Sequence, residues 1–259
     1  MNRIEEKFRE LKEKKKKALI VFLTVGYPDL STTEKLVYNL EDYGVDLIEL
    51  GVPFSDPIAD GPTIQYSSFI ALKQGISLKK ILEFVKRIHS RTALPLILMS
   101  YYNPIYQFPA FFENAKKAGV DGVIIPDLPP EEGRCISLRT KKLGLDLVYL
   151  LAPTSNDERI KLISQKSQGF VYVVSLTGVT GIREKLPQGL ESFLKKVKNH
   201  ADKPLALGFG ISRAEQIRPV KRFVDGIIVG SAIIEIIRKT KNPFPQIRNF
   251  VSELNKVLQ

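Results

Sequence analysis

Short apolar runs alternate with amphipathic segments along the whole chain of 259 residues. Eight runs are rich in β-branched and other apolar side chains, and they cover residues 18–26, 45–51, 95–101, 121–127, 145–152, 170–176, 204–210 and 225–230. The segments between them have helical spacing, as in STTEKLVYNLEDYG, and several end in glycine, as helices often do. Strands that are separated by crossover helices pair in parallel. The pattern therefore predicts eight β/α units.

Eight such units in a chain of this length are typical of the (β/α)8 barrel, or TIM barrel. An open, doubly wound sheet is the alternative with the same alternation. No linker rich in Pro, Gly or Ser and no low-complexity block divides the chain, so we predict one α/β domain over residues 1–259. The first residues, 1–14, are predicted to form an extra N-terminal helix.

Composition narrows the class of protein. A hydrophobic content of 44% is enough for a sizeable core, and the net charge of +11 comes mostly from lysines and arginines spread over predicted helices, so we expect no nucleic-acid partner. No apolar stretch approaches the ~20 residues of a membrane helix, and no export signal is visible. The single cysteine, Cys135, suits a reducing compartment and a core role. We expect a cytoplasmic protein.

Glu49 is the first candidate for chemistry, because it interrupts an apolar strand. Side chains alternate along a strand, so Leu47 and Glu49 are predicted to face the barrel interior, while Ile48 and Leu50 face the helices. A buried carboxylate needs a partner or a shifted pKa, and the ends of the eight predicted strands offer no Lys, Arg or His. Barrel active sites lie at this end of the strands. Asp60 follows in the loop sequence ADGP, where an Asx turn is the structural alternative.

Two glycine motifs predict a phosphate site. GFGIS (208–212) follows the seventh run and VGSAII (229–234) follows the eighth, where backbone N–H groups and a helix N-terminus bind phosphate in many barrels. Ser212 and Glu215 have the spacing of a capping box that would open a helix. After the sixth run, residues 176–189 are glycine-rich and long enough to fold over the site as a lid.

Several kinds of chemistry are disfavoured by what the sequence lacks. No predicted strand contains the lysine that a Schiff-base aldolase needs. His89 and His200 have no neighbouring ligands, so no metal site is expected, and no dinucleotide fingerprint follows the first strand. Two carboxylates and a phosphate site remain, and they indicate acid–base chemistry on a small phosphate ester.

Six motifs, spread in order over nearly the whole chain, together resemble the tryptophan synthase alpha subunit family. They are LTVGYP (23–28), ELGVPFSDPIADGPTIQ (49–65), YYNPI (101–105), GVTG (178–181), GFGIS (208–212) and GSAI (230–233). The resemblance implies a (β/α)8 lyase of tryptophan biosynthesis that cleaves indole-3-glycerol phosphate to indole and glyceraldehyde 3-phosphate. It also implies an αββα heterotetramer with a beta subunit, which carries pyridoxal phosphate, and no cofactor in this chain.

The resemblance also assigns residues, position by position. Glu49 and Asp60 match the catalytic pair, and Thr180 matches the lid threonine that bonds the aspartate. The phosphate-binding positions match Gly181, Gly210, Gly230 and Ser231. The positions that line the substrate pocket match Phe22, Met99, Tyr101 and Tyr172, although large residues at strand ends are often core. The chain departs from the family at Leu176, where an arginine is common, and in 67–75, which lacks the usual arginine.

Three hypotheses about the function follow from these features. The first is the lyase subunit with its beta partner, whose interface would include Asp56 in the proline-rich loop 53–62. The second is a stand-alone indole-3-glycerol phosphate lyase. The third is a non-catalytic barrel that acts as an activator or binding module, which the presence of both Glu49 and Asp60 disfavours.

Overall fold

The computed structural model describes residues 2–174, 187–208 and 210–259. Within these residues, nine strand segments pair in parallel in the order β5-β4-β3-β2-β1-β9-β8-β7-β6. They are β1 (Ala18–Thr24), β2 (Leu47–Gly51), β3 (Leu96–Met99), β4 (Gly122–Ile124), β5 (Asp146–Val148), β6 (Leu150–Leu151), β7 (Val171–Val174), β8 (Leu205–Gly208) and β9 (Gly226–Val229).

The two ends of this sheet meet in the fifth predicted strand. Segments β5 and β6 are separated only by Tyr149, whose N–H donates to the Ser167 hydroxyl oxygen at 3.2 Å rather than to a neighbouring strand. Tyr149 O accepts the N–H of Tyr172 at 3.1 Å, which continues the ladder to β7. The eight predicted strands are thus present and the sheet closes. The (β/α)8 barrel is confirmed, and the doubly wound alternative is wrong.

The helices surround the barrel. Among the described residues they are α1 (Arg3–Glu13), α2 (Leu30–Asp42), α3 (Pro62–Lys73), α4 (Leu78–His89), α5 (Tyr102–Tyr106), α6 (Phe111–Ala118), α7 (Arg134–Leu143), α8 (Asp157–Lys166), α9 (Leu190–Lys198), α10 (Ser231–Lys239) and α11 (Phe244–Leu258). Gly119 and Gly144 end α6 and α7 with φ of 96° and 67°, as the glycine stops predicted. No helix in the described ranges is long and apolar enough to cross a membrane.

Two hydrophobic layers follow from the alternation along the strands. Ile48 and Leu50 pack with the helices in the outer layer, whereas Leu47 belongs to the inner cluster together with Ile20 and Ile97. The predicted orientation of β2 is therefore confirmed. Burial of both faces explains why the strands read as continuous apolar runs.

The predicted N-terminal helix, α1, covers the end of the barrel where the strands begin, which we call the bottom. Ile4, Phe8 and Leu11 are buried in the inner cluster, and the rings of Phe8 and Phe170 lie 5.5 Å apart. Gly122, the first residue of β4, leaves room for this helix, because a Cβ atom there would lie 2.8 Å from Ile4 Cδ1. The interior is therefore filled with apolar side chains at the bottom.

Aspartates also hold the strands at the bottom. Asp46, Asp121 and Asp225 each accept a backbone N–H at the start of the preceding strand, at 2.8, 2.9 and 3.0 Å respectively. Their own N–H groups donate to the carbonyl of the same strand residue, which is Leu19, Leu96 or Leu205. Each aspartate thus pairs twice with one residue, and this reciprocal contact fixes the register of neighbouring strands.

Candidate active site

Glu49 lies in the interior at the opposite end, the mouth, where the strands end. It pairs in register with Phe22 on β1 and Ile97 on β3, and it is 0% exposed. Neither carboxylate oxygen has a hydrogen-bond partner in the described part of the chain. Burial, with a smaller contribution from the charge of Asp60, raises the pKa of Glu49 to about 8. Its carboxyl group is therefore protonated at neutral pH.

Asp60 reaches the same region from the loop between β2 and α3. Gly61 is the N-cap of α3 and Pro62 begins the helix, which fixes the direction of the chain after Asp60. Gln65 Nε2 donates to the carbonyl oxygen of Asp60 at 2.7 Å, and the N–H of Ala59 donates to the Tyr101 hydroxyl at 3.0 Å. Backbone contacts on both sides thus hold the loop.

The carboxylate of Asp60 differs from that of Glu49 in its partner. Burial raises the pKa of Asp60 to about 6, and a hydrogen bond from the Tyr101 hydroxyl opposes this shift. Asp60 is therefore mostly ionised at neutral pH while Glu49 is mostly protonated. Two carboxyl groups with separated pKa values can divide the roles of proton donor and charge stabiliser.

A cavity at the mouth brings most of the predicted residues together. Its lining includes eight of them, Phe22, Glu49, Asp60, Met99, Tyr172, Gly210, Gly230 and Ser231. Tyr101 lines an adjoining cavity that shares Phe22, Asp60 and Met99. Ile64 and Ile228 also line the first cavity and were not predicted. The sequence did hold a signal for Ile228, because it lies two residues before Gly230 on the same strand face.

Tyr172 extends across the interior from β7. It is buried, and a Cβ atom on Gly208 would lie 2.5 Å from its hydroxyl oxygen, so the glycine makes room for the ring. Burial raises the pKa of Tyr172 well above its ordinary value, and the charges of Glu49 and Asp60 add to this effect. Its hydroxyl therefore stays protonated beside the two carboxyl groups.

The predicted phosphate positions lie at the same end of the barrel. Gly230 is the N-cap of α10, which begins at Ser231, and the N–H groups of the first helical turn have no partner within a helix. Gly210 has φ of 85°, a left-handed conformation that favours glycine. These features suit an anion at the start of α10.

The predicted helix opening at Ser212 is wrong. The segment forms only a short 3-10 helix, Ala214–Gln216, with Arg213 as its N-cap. Gln216, rather than Glu215, caps it, and Gln216 Oε1 accepts the N–H groups of Ser212 and Arg213 at 2.8 and 3.0 Å. Gln216 occupies the N3 position relative to the N-cap Arg213, from which its amide oxygen reaches both donors.

Some predictions fall outside the described residues. Thr180, Gly181 and Leu176 lie in 175–186, together with most of the predicted lid, so their roles stay predictions. Outside the site, Asp56 and Cys135 are both exposed, so the core role expected for Cys135 is wrong. No group of three or more His, Cys, Asp or Glu side chains that could hold a metal ion occurs in 2–174, 187–208 or 210–259.

Known proteins resemble this chain over its full length. The family model described as "Tryptophan synthase alpha chain" matches residues 8–258. A relative of that name from Dehalococcoides mccartyi is 46% identical and covers 100% of both chains. A solved structure from Aquifex aeolicus has a TM-score of 0.91 at 40% identity and covers 100% of both chains. Tryptophan synthase subunit alpha from Legionella pneumophila has a TM-score of 0.91 at 36% identity and covers 100% of this chain and 98% of its own.

Proposed function

Because the chain belongs to the tryptophan synthase alpha chain family, we propose that Glu49 and Asp60 are the two carboxylates that catalyse its reaction. The chain is a lyase that cleaves indole-3-glycerol phosphate to indole and glyceraldehyde 3-phosphate. It functions with the beta subunit of tryptophan synthase in an α2β2 complex, and this partnership argues against a stand-alone lyase. Pyridoxal phosphate resides in the beta subunit, and this chain has no cofactor.

Glu49 is the proton donor in this proposal. Cleavage of the bond between indole C3 and the glycerol carbon is a retro-aldol step, and the indole ring takes up the electrons. Protonation of C3 produces a cationic indolenine tautomer, and removal of the proton from the glycerol hydroxyl then releases indole. A general acid must hold its proton at the operating pH, and the pKa of about 8 for Glu49 meets this requirement. The resulting carboxylate can take up the hydroxyl proton.

Asp60 stabilises the charge that develops on the ring. As a carboxylate it accepts a hydrogen bond from the indole N–H, and this interaction strengthens as C3 is protonated and the nitrogen becomes positive. A pKa of about 6 keeps it ionised at neutral pH, and the Tyr101 hydroxyl orients it. The two carboxylates therefore act at opposite sides of the five-membered ring.

The rest of the cavity holds the substrate. Gly210, Gly230 and Ser231 are proposed to bind the phosphate through backbone N–H groups, and Gly181 is assigned to the same group by the family motif alone. Phe22, Met99, Tyr101 and Tyr172 are proposed to line the pocket for indole and glycerol. The loop with Asp56 is proposed to contact the beta subunit. We also propose that residues 1–259 form one domain and that the protein is cytoplasmic, as suits a biosynthetic enzyme.

One observation carries the assignment of the pair. Glu49 is fully buried, lacks a partner among the described residues and faces a cavity that it shares with a second carboxylate. Burial of such a group destabilises the fold, and no structural contact compensates for it. A catalytic role explains such a group, whereas a role in stabilising the fold does not. The hypothesis of a non-catalytic barrel does not explain why this carboxyl group is buried without a partner.

An analogue of the substrate with oxygen or sulfur in place of the ring nitrogen tests the division of roles. This analogue has no N–H to donate to Asp60 and should react poorly with the unmodified protein. Asp60→Asn should therefore slow the natural reaction strongly and cost little further rate on the analogue. Steady-state kcat on both substrates measures the difference.

Glu49→Gln serves as the matched control, because it should stop both reactions. If Asp60→Asn slows analogue cleavage as much as it slows the natural reaction, Asp60 does not contact the N–H. Its role would then be reassigned to lid closure through Thr180.

A further inference from the structure

Helix α10 contacts helix α3 through a hydrogen bond between side chains that lie far apart in sequence. The Thr63 hydroxyl donates to Glu235 Oε1 at 2.9 Å across 172 positions of the chain. Glu235 is only 8% exposed, so this bond lies at the interface of the two helices rather than on the surface. It is a direct polar link between elements that carry different parts of the site.

The second carboxylate oxygen of Glu235 is held by cations of its own helix. Arg238 Nη2 and Lys239 Nζ lie 2.9 and 3.2 Å from Oε2 as ion pairs. Burial acts to raise the pKa of Glu235, but the bonds from Thr63 and Lys239 and the charge of Arg238 outweigh it and lower this pKa. Glu235 is therefore ionised at neutral pH and accepts strongly from Thr63.

Arg238 extends the same contact to a second residue of α3. Its guanidinium lies 5.6 Å from the ring centroid of Tyr66, one turn after Thr63. The Tyr66 ring packs edge-on against the ring of Tyr27, with the two centroids 6.1 Å apart. Tyr27 lies in the loop that follows β1. Helix α10 thus holds the first two turns of α3 by a charge-assisted hydrogen bond and a cation–π contact.

Each helix begins at a different part of the active site. The N-terminus of α10, at Gly230 and Ser231, is the proposed phosphate position, and α3 begins two residues after Asp60. Thr63 lies in the first turn of α3, so a displacement of Thr63 displaces the end of the loop that carries Asp60. Glu235 lies one turn beyond the proposed phosphate position on α10.

We propose that Glu235 is a positioning residue that couples phosphate binding at α10 to the placement of Asp60, through its bond to Thr63. The inference rests on the proposed roles of Asp60 and of the α10 N-terminus. A phosphate that tightens the start of α10 also fixes Glu235, which fixes Thr63 and with it the loop. Asp60 is then positioned to accept the indole N–H once the phosphate end of the substrate has bound.

Coupling of this kind can be measured as a ratio of affinities. Glycerol 3-phosphate and indole represent the two ends of the substrate, and calorimetry gives the dissociation constant of indole with and without saturating glycerol 3-phosphate. We expect glycerol 3-phosphate to tighten indole binding by about fivefold or more in the unmodified full chain. In Thr63→Val and in Glu235→Ala this ratio should fall to about one, and kcat should fall by roughly two- to thirtyfold.

Conservative variants separate positioning from folding. Thr63→Ser keeps the hydroxyl and should restore the ratio. Thr92→Val is the matched control, because Thr92 makes the same kind of bond to a glutamate, Glu41 Oε2 at 2.5 Å, at the bottom of the barrel. It should leave the ratio and kcat unchanged. The double variant Thr63→Val with Glu235→Ala should be no worse than Glu235→Ala alone, because Glu235→Ala already removes the bond that Thr63→Val removes.

Three outcomes would overturn the inference: a ratio near one in the unmodified protein, an unchanged ratio in Thr63→Val, or independent losses in the double variant. Asp60→Asn in the same assays distinguishes this failure from failure of the proposed function. If Asp60→Asn cleaves substrate normally, the proposed role of Asp60 fails. If Asp60→Asn is impaired while Thr63→Val behaves as the unmodified protein, only the coupling fails.

Discussion

The mouth and the bottom of this barrel both bury carboxyl groups, and they treat them differently. At the bottom, the carboxylate of Asp121 accepts the N–H of Leu96 at 2.9 Å and a bond from Arg3 at 3.1 Å. At the mouth, Glu49 has no hydrogen-bond partner within the described ranges. Burial raises the pKa of both residues, but of the two only Glu49 has both carboxylate oxygens buried without a partner.

The difference teaches how stability and chemistry are separated in one fold. A bottom carboxylate that bonds the backbone of the neighbouring strand, as Asp121 does, fixes strand register. A mouth carboxylate without partners weakens the fold, and its proton is available for a reaction. Substitution should therefore have opposite effects at the two ends.

The largest expected effect is on the rate at the mouth. Glu49→Gln removes the transferable proton and keeps the shape, so kcat should fall by roughly 10²–10⁴-fold. Single-turnover cleavage of indole-3-glycerol phosphate, with and without the beta subunit, measures it. A loss of less than about tenfold would show that another group supplies the proton.

The next effect is on stability and depends on pH. The carboxyl group of Glu49 titrates near 4.5 when unfolded and near 8 when folded. Below pH 4.5 both states are protonated, whereas between these values only the unfolded state loses its proton, so the folded state becomes relatively less stable as pH rises to about 8. The cost at pH 7 is roughly 3 kcal/mol.

Urea unfolding of the unmodified protein and Glu49→Gln at pH 5 and pH 8 measures this cost. The glutamine cannot ionise, so the variant should gain free energy of unfolding relative to the unmodified protein, and the gain should be larger at pH 8. An equal difference at both pH values would mean that Glu49 does not titrate between them.

Asp121→Ala should produce the reverse pattern at the bottom. The change leaves the buried N–H of Leu96 and the guanidinium of Arg3 without this acceptor, at a cost of about 1–3 kcal/mol in free energy of unfolding. The value of kcat should be unchanged wherever the variant is folded. Asp121→Asn keeps one oxygen acceptor and should lose less, while a loss of kcat at unchanged stability would contradict the separation of the two ends.

The smallest effect compares two glycines with positive φ. Gly210 at the mouth has φ of 85° and Gly144 at the bottom has φ of 67°. Alanine at either position should cost about 1 kcal/mol of stability, because side chains disfavour this conformation. Only Gly210→Ala should also raise KM, since its backbone is proposed to bind phosphate. Equal KM values for both variants would place the phosphate elsewhere.

The fold could be predicted largely from periodicity, because every strand is buried on both faces and reads as an apolar run. Strand bounds were less accurate. The run 121–127 becomes a strand only at Gly122–Ile124, since its last residues turn out of the sheet and Asp127 Oδ1 accepts the N–H of Tyr102 at 2.9 Å. The break at Tyr149 depends on the bond that its N–H donates to the Ser167 hydroxyl, which apolar spacing does not encode.

The site was predictable where topology converts position into geometry. Glu49 near the end of a strand must lie at the mouth of a barrel, and Asp60 in the next loop must lie near it. The bond between Thr63 and Glu235 joins helices 172 positions apart and leaves no local pattern. The bottom aspartates do leave a local pattern, because Asp46, Asp121 and Asp225 each follow a valine at the start of a strand.

The apolar side chains of α1 also determine by which end of the barrel the product can leave. Because Ile4, Phe8 and Leu11 fill the bottom of the barrel, the interior is a blind cavity at that end. Indole released beside Glu49 is therefore expected to leave at the mouth of the barrel and not through the bottom. Any protein bound at the mouth would therefore be the first to receive the indole that this chain makes.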